Sequence, residues 1–234
     1  MAIARERRAG VVVSFACALL AAALIAGCSG SPSGGAPRDV ARPTPLAPNE
    51  VREYRGAKLS SVEDFRENSI KGPQYVDETA YRLTVTGLVA TPLRLTYTQV
   101  LNRQTYDKVV RLNCVEGWSV DIWWEGVLVS DLLDAAGAEP GAKVIIFRAA
   151  DGYSSSLPIS YVRDNDILLA AKMNGVKLPP ERGFPFQLVA EDKWGYKWVK
   201  WVEEIEVSND TSFRGYWEQR GYSNDGSLDE SFGE

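Results

Sequence analysis

The sequence contains no histidine and very little cysteine, and each shortage restricts the chemistry that the chain can perform. Without histidine there is no Ser-His-Asp triad, no imidazole ligand for a metal and no side chain whose unperturbed pKa lies near neutrality. The three cysteines are Cys17, Cys28 and Cys114, and only the last lies outside the N-terminal segment. A disulfide within the rest of the chain therefore cannot form. Most hydrolase mechanisms are excluded.

Basic residues are outnumbered by acidic ones, 26 against 31, which gives a formal net charge of −5. The first 27 residues contain three arginines and one glutamate, so the remainder of the chain carries −7. A surface this acidic argues against nucleic acid as a partner. The length of 234 residues, with 45% apolar residues, suits one globular domain with appendages.

The N-terminus has the layout of a bacterial lipoprotein signal peptide. Arginines precede an apolar run from Val11 to Ala26, which is short for a bilayer-spanning helix of about 20 residues. The run ends in Leu24-Ile25-Ala26-Gly27-Cys28, which resembles a lipobox with cleavage before Cys28 and lipidation of its sulfur. An ordinary cleaved signal peptide is the alternative, and Arg7-Arg8 also fits a twin-arginine export signal. We expect an exported lipoprotein that is anchored to a membrane through Cys28, on its periplasmic or outer side.

Composition divides the rest of the chain into four parts. Residues 28–50 are rich in Ser, Gly, Pro and Ala and are predicted to form a flexible tether. Residues 51–75 are predicted to be an N-terminal arm, 76–208 the folded domain and 209–234 a C-terminal tail.

Within residues 76–208, strand signals outnumber helix signals. Alternation from Tyr81 to Thr86 predicts a strand, and Thr96 with Gln99 predicts a capping box at the start of a short helix. Ser130 is predicted to cap a second helix, and the Asn174-Gly175 pair a hairpin turn. Because there is no βαβ rhythm, we expect a single strand-dominated α+β domain with a mixed, barrel-like sheet.

Cys114 lies in a run of β-branched and apolar residues, Val109 to Val115, that predicts a buried strand over about residues 106–115. In an extended segment, Cys114 and Glu116 would project to the same side. A neighbouring carboxylate raises the pKa of a thiol and disfavours thiolate, so a cation, most simply a metal ion, would have to stabilise the sulfur. Ligation would also explain how a lone thiol survives oxidation after export. A buried structural cysteine is the alternative.

A second unusual segment, Lys193 to Trp201, contains three lysines and three tryptophans in nine residues. Lysines that act as point charges towards phosphate would make it an anion site. An amphipathic strand with solvated lysines and buried tryptophans is the alternative. No Gly-rich nucleotide-binding loop of the Rossmann or Walker type is present, so a nucleotide is not the expected anion.

Five ordered motifs over about residues 60–208 resemble the molybdopterin-binding domain of the sulfite oxidase family. The similarity is greatest to its bacterial periplasmic branch, which includes the catalytic subunit of a methionine sulfoxide reductase. The motifs are Arg111 to Trp118, Asp151-Gly152-Tyr153, Met173-Asn174-Gly175, Leu178 to Pro185 and Lys193 to Lys200.

The resemblance implies a role for each matching residue. Cys114 would be the thiolate ligand of molybdenum beside the pterin dithiolene, and Glu116 a carboxylate that handles protons near the metal. The implied contacts to the Mo-molybdopterin cofactor are Asn68, Asp151, Arg182, Trp198, Val199 and Lys200, the last three at the pterin phosphate. Gln187 departs from the family, which usually has an arginine there. The arginine cluster that holds sulfite has no clear counterpart.

These features predict an exported molybdenum-molybdopterin oxidoreductase that performs two-electron redox chemistry. We expect oxygen-atom transfer to or from a small or protein-borne oxide of sulfur or nitrogen, such as a sulfoxide. Because the sequence shows no second redox centre, the expected electron partner is a membrane quinol-linked protein or a cytochrome. The alternative is a lipoprotein binding module that keeps the fold without the cofactor, for which Gln187 is the favouring feature.

Overall fold

The computed structural model describes residues 47–233. The predicted signal peptide, Cys28 and most of the predicted tether lie outside the described residues. The strands are β1 Glu53–Tyr54, β2 Ala57–Lys58, β3 Leu83–Gly87, β4 Leu93–Leu95, β5 Tyr106–Asn113, β6 Ser119–Leu128, β7 Val144–Ala149, β8 Ser154–Pro158, β9 Leu168–Met173, β10 Val176–Lys177, β11 Gln187–Val189 and β12 Val202–Ser208. The α-helices are α1 Tyr97–Leu101, α2 Val129–Ala136 and α3 Ile159–Asp164.

Two five-stranded sheets form the body of the domain. One has the order β10-β9-β6-β5, with β11 also paired to β9, and the other has the order β4-β3-β12-β7-β8. β3 and β12 run parallel, whereas the remaining neighbours are antiparallel. The expectation of a strand-dominated α+β domain with a mixed sheet is confirmed. The strands of residues 47–233 do not close into a barrel.

The β5–β6 hairpin shows why these residues form strands. Val110 and Leu112 are buried and alternate with exposed neighbours, as a period of two requires for a strand with one face in the core. On β6 the buried residues are Val120, Ile122 and Trp124, and Val110 lies opposite Ile122. The core therefore fixes the register of the hairpin, and its turn carries Cys114 to the edge of the sheet.

Both predicted helix signals can be compared with the structure. Thr96 and Gln99 form the complete capping box of α1. α2, however, begins at Val129 with Leu128 in the cap position, so the prediction that Ser130 caps it is wrong. β6 runs straight into this helix, and the Val129 amide donates to the carbonyl of Ile167 at 2.9 Å. A tertiary hydrogen bond therefore takes the place of a side-chain cap.

The segment from Lys193 to Trp201 does not form the amphipathic strand that was the alternative to an anion site. Gly195–Lys197 forms a single 3₁₀ turn, and β12 begins only at Val202. Four successive residues from Tyr196 to Val199 are buried, which a strand with one solvated face does not allow. The segment is instead enclosed by other parts of the chain.

Residues 209–233, which we call the strap, pack along the domain and contain a 3₁₀ turn at Glu218–Arg220. Glu218 accepts a hydrogen bond at 2.7 Å from the ammonium of Lys197, and neither side chain is exposed. The strap thereby covers the turn at Gly195–Lys197. None of the helices in residues 47–233 is long and apolar enough to cross a bilayer.

Candidate functional site

A cavity of about 320 Å³ opens between the β5–β6 turn, the arm and the segments that follow β7 and β11. Seven of the eight predicted site residues line it: Asn68, Cys114, Glu116, Asp151, Arg182, Trp198 and Lys200. Val199 is not in the cavity wall. It is fully buried, and its carbonyl accepts from the Leu188 amide at 2.8 Å. The fold therefore brings together residues from four of the five sequence motifs and Asn68 from the arm.

Cys114 lies in the first position of the turn between β5 and β6. Its carbonyl accepts from the Gly117 amide at 3.0 Å, and its own amide donates to the carbonyl of Trp118 at 2.9 Å. The prediction that Cys114 and Glu116 share an extended segment is therefore wrong. Gly117, with a φ of +83°, lets the chain reverse so that β5 can pair with β6. Glu116 is exposed at the turn and accepts from the Trp118 indole at 3.3 Å.

The Cys114 thiol occupies an environment that opposes ionisation. Burial raises its pKa above the ordinary 9.0, and the negative charge of Glu116 raises the pKa further. A hydrogen bond from the backbone at Glu116, the amide of Asn68 and the positive charge of Arg66 lower the pKa but do not outweigh burial. A bound cation would supply the missing stabilisation of thiolate.

The arm connects this sulfur to Lys200, the lysine of the cavity wall. Asn68 Nδ2 lies 3.6 Å from Cys114 Sγ. The preceding residue, Glu67, holds the ammonium of Lys200 at 2.8 Å. Adjacent α-carbons are only about 3.8 Å apart, so one short stretch of the arm reaches both side chains. Burial lowers the pKa of Lys200, whereas the Glu67 carboxylate opposes that shift.

Arg182 faces both the cavity and the arm. Its Nε donates to the carbonyl of Val62 at 2.8 Å and its Nη2 to that of Phe65 at 3.3 Å. The guanidinium also lies 5.0 Å from the centre of the Phe65 ring. Arg182 therefore fastens the arm against the cavity, a function that the resemblance did not indicate. Burial lowers its pKa.

The three lysines of the basic segment do not form one anion site. Lys193 pairs with Asp225 at 2.9 Å and Lys197 with Glu218 at 2.7 Å, so both bind the strap. Lys200 is the lysine among the described residues that lines the cavity. Partners distant in sequence occupy Lys193 and Lys197, so the part of the expected anion site that lies at the cavity is Lys200.

Two further polar side chains are available to a ligand. Asp151 is 2% exposed and its Oδ1 accepts from the Tyr153 amide at 2.8 Å. Gln187 is 3% exposed, and its Oε1 has no hydrogen-bond partner among the described residues. An unsatisfied buried oxygen costs about 1–3 kcal/mol, so a donor from a ligand would stabilise it. Next to it, a Cβ on Gly183 would lie 3.1 Å from the Lys200 Cβ and 3.2 Å from the Gln187 Cβ. Glycine keeps these two side chains close.

The residues present fit a molybdopterin cofactor. Cys114 offers a soft sulfur ligand, which suits molybdenum, and Lys200 offers a positive charge for a phosphate. Gln187 offers an acceptor for an N–H group of a pterin ring. The fit rests on the Gln187 Oε1 atom, which has no hydrogen-bond partner among the described residues and belongs to the same cavity wall as the Cys114 thiol.

Sequence reasoning missed several residues of the cavity wall. They are Phe65, Arg66, Glu67, Glu181, Tyr196, Trp217 and Tyr222. Glu67 carried a weak signal, since it adjoins Asn68. The strap residues carried no signal in the sequence, because the burial of Lys193 and Lys197 against acidic partners of the strap is visible only in the folded chain.

Comparisons with known proteins agree with the geometry. The family model described as oxidoreductase molybdopterin binding domain matches residues 70–217. The chain is 34% identical over 151 residues to an uncharacterized oxidoreductase, YuiH, of Bacillus subtilis, covering 64% of this chain and 76% of that protein. It is 35% identical over 148 residues to a putative protein-methionine-sulfoxide reductase subunit, YedZ1, of Azospira oryzae, covering 63% of this chain and 56% of that protein.

A solved structure is also similar. The sulfane dehydrogenase SoxCD from Paracoccus pantotrophus matches with a TM-score of 0.59 and 27% sequence identity, over 66% of this chain and 43% of that one. The chain thus spans about three quarters of the first relative and about half of the second. It belongs to the oxidoreductase molybdopterin binding domain family and is an enzyme of the sulfite oxidase family that performs molybdenum-dependent redox chemistry.

Proposed function

We propose that the protein catalyses oxygen-atom transfer to or from a sulfoxide-type substrate, or another small or protein-borne oxide of sulfur or nitrogen, with Cys114 as the protein ligand of molybdenum. The observation that carries the proposal is the position of the Cys114 sulfur in the wall of the cavity that Lys200 and Gln187 also line. The name of the Azospira relative, a putative protein-methionine-sulfoxide reductase subunit, supports the substrate class.

Each side chain has a defined task in this proposal. The bound molybdenum cofactor supplies the two-electron chemistry. Cys114 holds the metal, Lys200 neutralises the phosphate and Gln187 accepts a hydrogen bond from the pterin. Glu116, exposed at the turn beside Cys114, exchanges protons between solvent and the cavity. Asn68 orients the sulfur through its amide.

The stoichiometry explains why a proton carrier is needed. A sulfoxide that takes up two electrons and two protons becomes a sulfide and one water molecule, and the reverse reaction releases them. Glu116 is a carboxylate in the cavity wall that also contacts solvent. We propose that the electrons come from, or pass to, a membrane quinol-linked protein or a cytochrome. We also propose export and anchoring through a lipid on Cys28.

Replacement of Cys114 by serine tests the ligand assignment. The holo-protein should contain molybdenum, absorb visible light and resist alkylation at its single thiol in the folded domain. The Cys114→Ser variant should keep the far-ultraviolet circular dichroism of the wild type but lose the visible absorption and the activity. Glu116→Gln is the matched control: it should retain metal and colour while the pH dependence of turnover changes. An active, coloured Cys114→Ser variant would refute the assignment.

The alternative of a binding module without cofactor is disfavoured. The family match spans most of the domain, and the chain keeps both the sulfur ligand and the cavity lysine. Gln187, which suggested the alternative, contributes an unpartnered acceptor to the cavity wall.

A further inference from the structure

A row of aromatic rings leads from the cavity to the surface of the strap. Tyr196 and Tyr222 both line the cavity, and their ring centres lie 5.1 Å apart. Tyr222 stacks on Phe232 at 5.8 Å, and Phe232 meets Trp194 edge to face at 5.5 Å. Phe232 is 36% exposed. The outer rings are therefore separated from the cavity by a single ring, that of Tyr222.

Acidic residues lie close in sequence to Phe232, one of these outer rings. The sequence from residue 221 to 234 contains four acidic residues and no lysine or arginine. Lys193 pairs with Asp225. Asp229 and Glu230 are exposed and take part in no ion pair among the described residues. This part of the surface therefore combines a small apolar centre with an excess of negative charge.

The surface is held in place by buried contacts. The Trp194 amide donates to the carbonyl of Gly226 at 2.8 Å, and the Trp194 indole donates to that of Glu230 at 3.2 Å. The buried pair of Lys197 and Glu218 fixes the preceding part of the strap. A partner that binds here would pay little for ordering the surface, which favours association.

We propose that Trp194, Tyr222, Phe232, Asp229 and Glu230 form a docking surface for a positively charged haem domain that exchanges electrons with the cavity. The inference rests on the proposed function and adds to it the place and the charge of the electron partner. Each turnover moves two electrons. They pass one at a time, so that two haem irons change between Fe(III) and Fe(II) for each substrate converted.

Charge and size favour this occupant. An acidic surface attracts a basic protein and speeds its association, whereas it repels anionic lipid and a second copy of this acidic chain. Electron-transfer complexes are typically weak, with interfaces below about 1,200 Å². A few rings with an acidic rim match that class. A partner docked on Phe232 would also lie close to the cavity.

The test uses holo-protein and a small basic c-type cytochrome as the probe, with an acidic c-type cytochrome for comparison. Neutralising the rim in Asp229→Asn/Glu230→Gln should slow electron exchange with the basic cytochrome about three- to tenfold at low salt. The difference from wild type should shrink as the salt concentration rises. Phe232→Ser should weaken the binding of the basic cytochrome in titration calorimetry.

A matched control and a dye assay separate this inference from the proposed function. Asp164→Asn/Glu139→Gln removes two exposed carboxylates elsewhere and should exchange electrons at the wild-type rate. A small redox dye that reaches the cavity directly should support equal turnover in wild type and all three variants.

Equal rates with the basic cytochrome in the rim variant and the wild type would overturn the docking surface. The docking surface would also be overturned if the rim variant turned over a protein-borne substrate more slowly than wild type with the dye as redox partner. That result would assign the surface to substrate binding. Absence of dye-dependent turnover in wild type would instead contradict the proposed function.

Discussion

The arm and the strap complete the cavity wall from opposite termini of the domain, but they are fastened in different ways. The strap is held by Lys197 and Glu218, an ion pair with no solvent exposure that does not line the cavity. The arm is held by Lys200 and Arg182, two residues that do line it. The ion pairs of the strap are therefore independent of the site, whereas the ion pair of the arm involves a residue of the site.

This difference has a consequence for cofactor binding. The lysine proposed to neutralise the phosphate is the one that Glu67 holds. A ligand that engages Lys200 therefore changes the main ionic contact of the arm, whereas the ionic contacts of the strap stay unchanged. Both regions extend beyond residues 70–217, the part that matches the family model. Differences among relatives are expected there.

The largest expected effect comes from breaking the attachment of the strap. Lys197→Met leaves the Glu218 carboxylate buried without a cation, which should lower the free energy of unfolding by about 3–5 kcal/mol. Chemical denaturation monitored by tryptophan fluorescence measures the change. In a Lys197→Met/Glu218→Leu double variant much of the stability should return, because no buried charge remains. A single variant as stable as wild type would show that the pair does not hold the strap.

A smaller effect is expected from loosening the arm. Arg182→Met removes the donors to the carbonyls of Val62 and Phe65 and should cost about 2–3 kcal/mol. Hydrogen exchange should accelerate in residues 60–70 and remain unchanged in the strap. Arg163→Met, which removes an exposed ion pair with Asp134, is the matched control and should cost less than about 1 kcal/mol. Equal acceleration in arm and strap would contradict independent attachment.

The smallest expected effect is on the reactivity of the thiol in cofactor-free protein. Since the pKa of Cys114 is raised above 9.0, alkylation at pH 8 should be slower than for a free thiol and should increase as the pH rises through and beyond 9. Asn68→Ala removes a donor that lowers the pKa and should slow alkylation at pH 8 about twofold. Glu116→Gln removes a negative charge and should speed it by a similar factor.

The two regions should again differ in this assay. Neutralisation of Glu230 in the strap should leave the alkylation rate unchanged, because that residue is not in the cavity wall. Changes of the same sign in the Asn68 and Glu116 variants would indicate altered access rather than altered pKa.

Local sequence patterns predicted the elements that depend on neighbours in the chain. The capping box at Thr96 and the hairpin at Asn174-Gly175 are both present, since side-chain caps and tight turns are formed within a few residues. The limits of β5 were also close to those predicted. The start of α2 was missed because a hydrogen bond to Ile167, far along the chain, determines it.

The candidate site shows the same limit. Cys114 could be predicted as a site residue because it is the one cysteine outside the N-terminal segment and lies near a carboxylate. Its position in a turn could not be predicted, because that turn depends on the pairing of β5 with β6. The alternation of lysine and tryptophan in the basic segment favoured a strand, whereas Lys197 is buried by Glu218, 21 residues later. The contact of Arg182 with Val62 joins residues 120 positions apart. Such long-range pairs leave no periodic signal.

The most direct test of the central claim is molybdenum K-edge X-ray absorption of holo-protein, compared between wild type and Cys114→Ser loaded in the same host. If the Cys114 thiolate binds the metal, the variant should show one sulfur neighbour fewer around molybdenum. The same number of sulfur neighbours in both proteins would contradict the account.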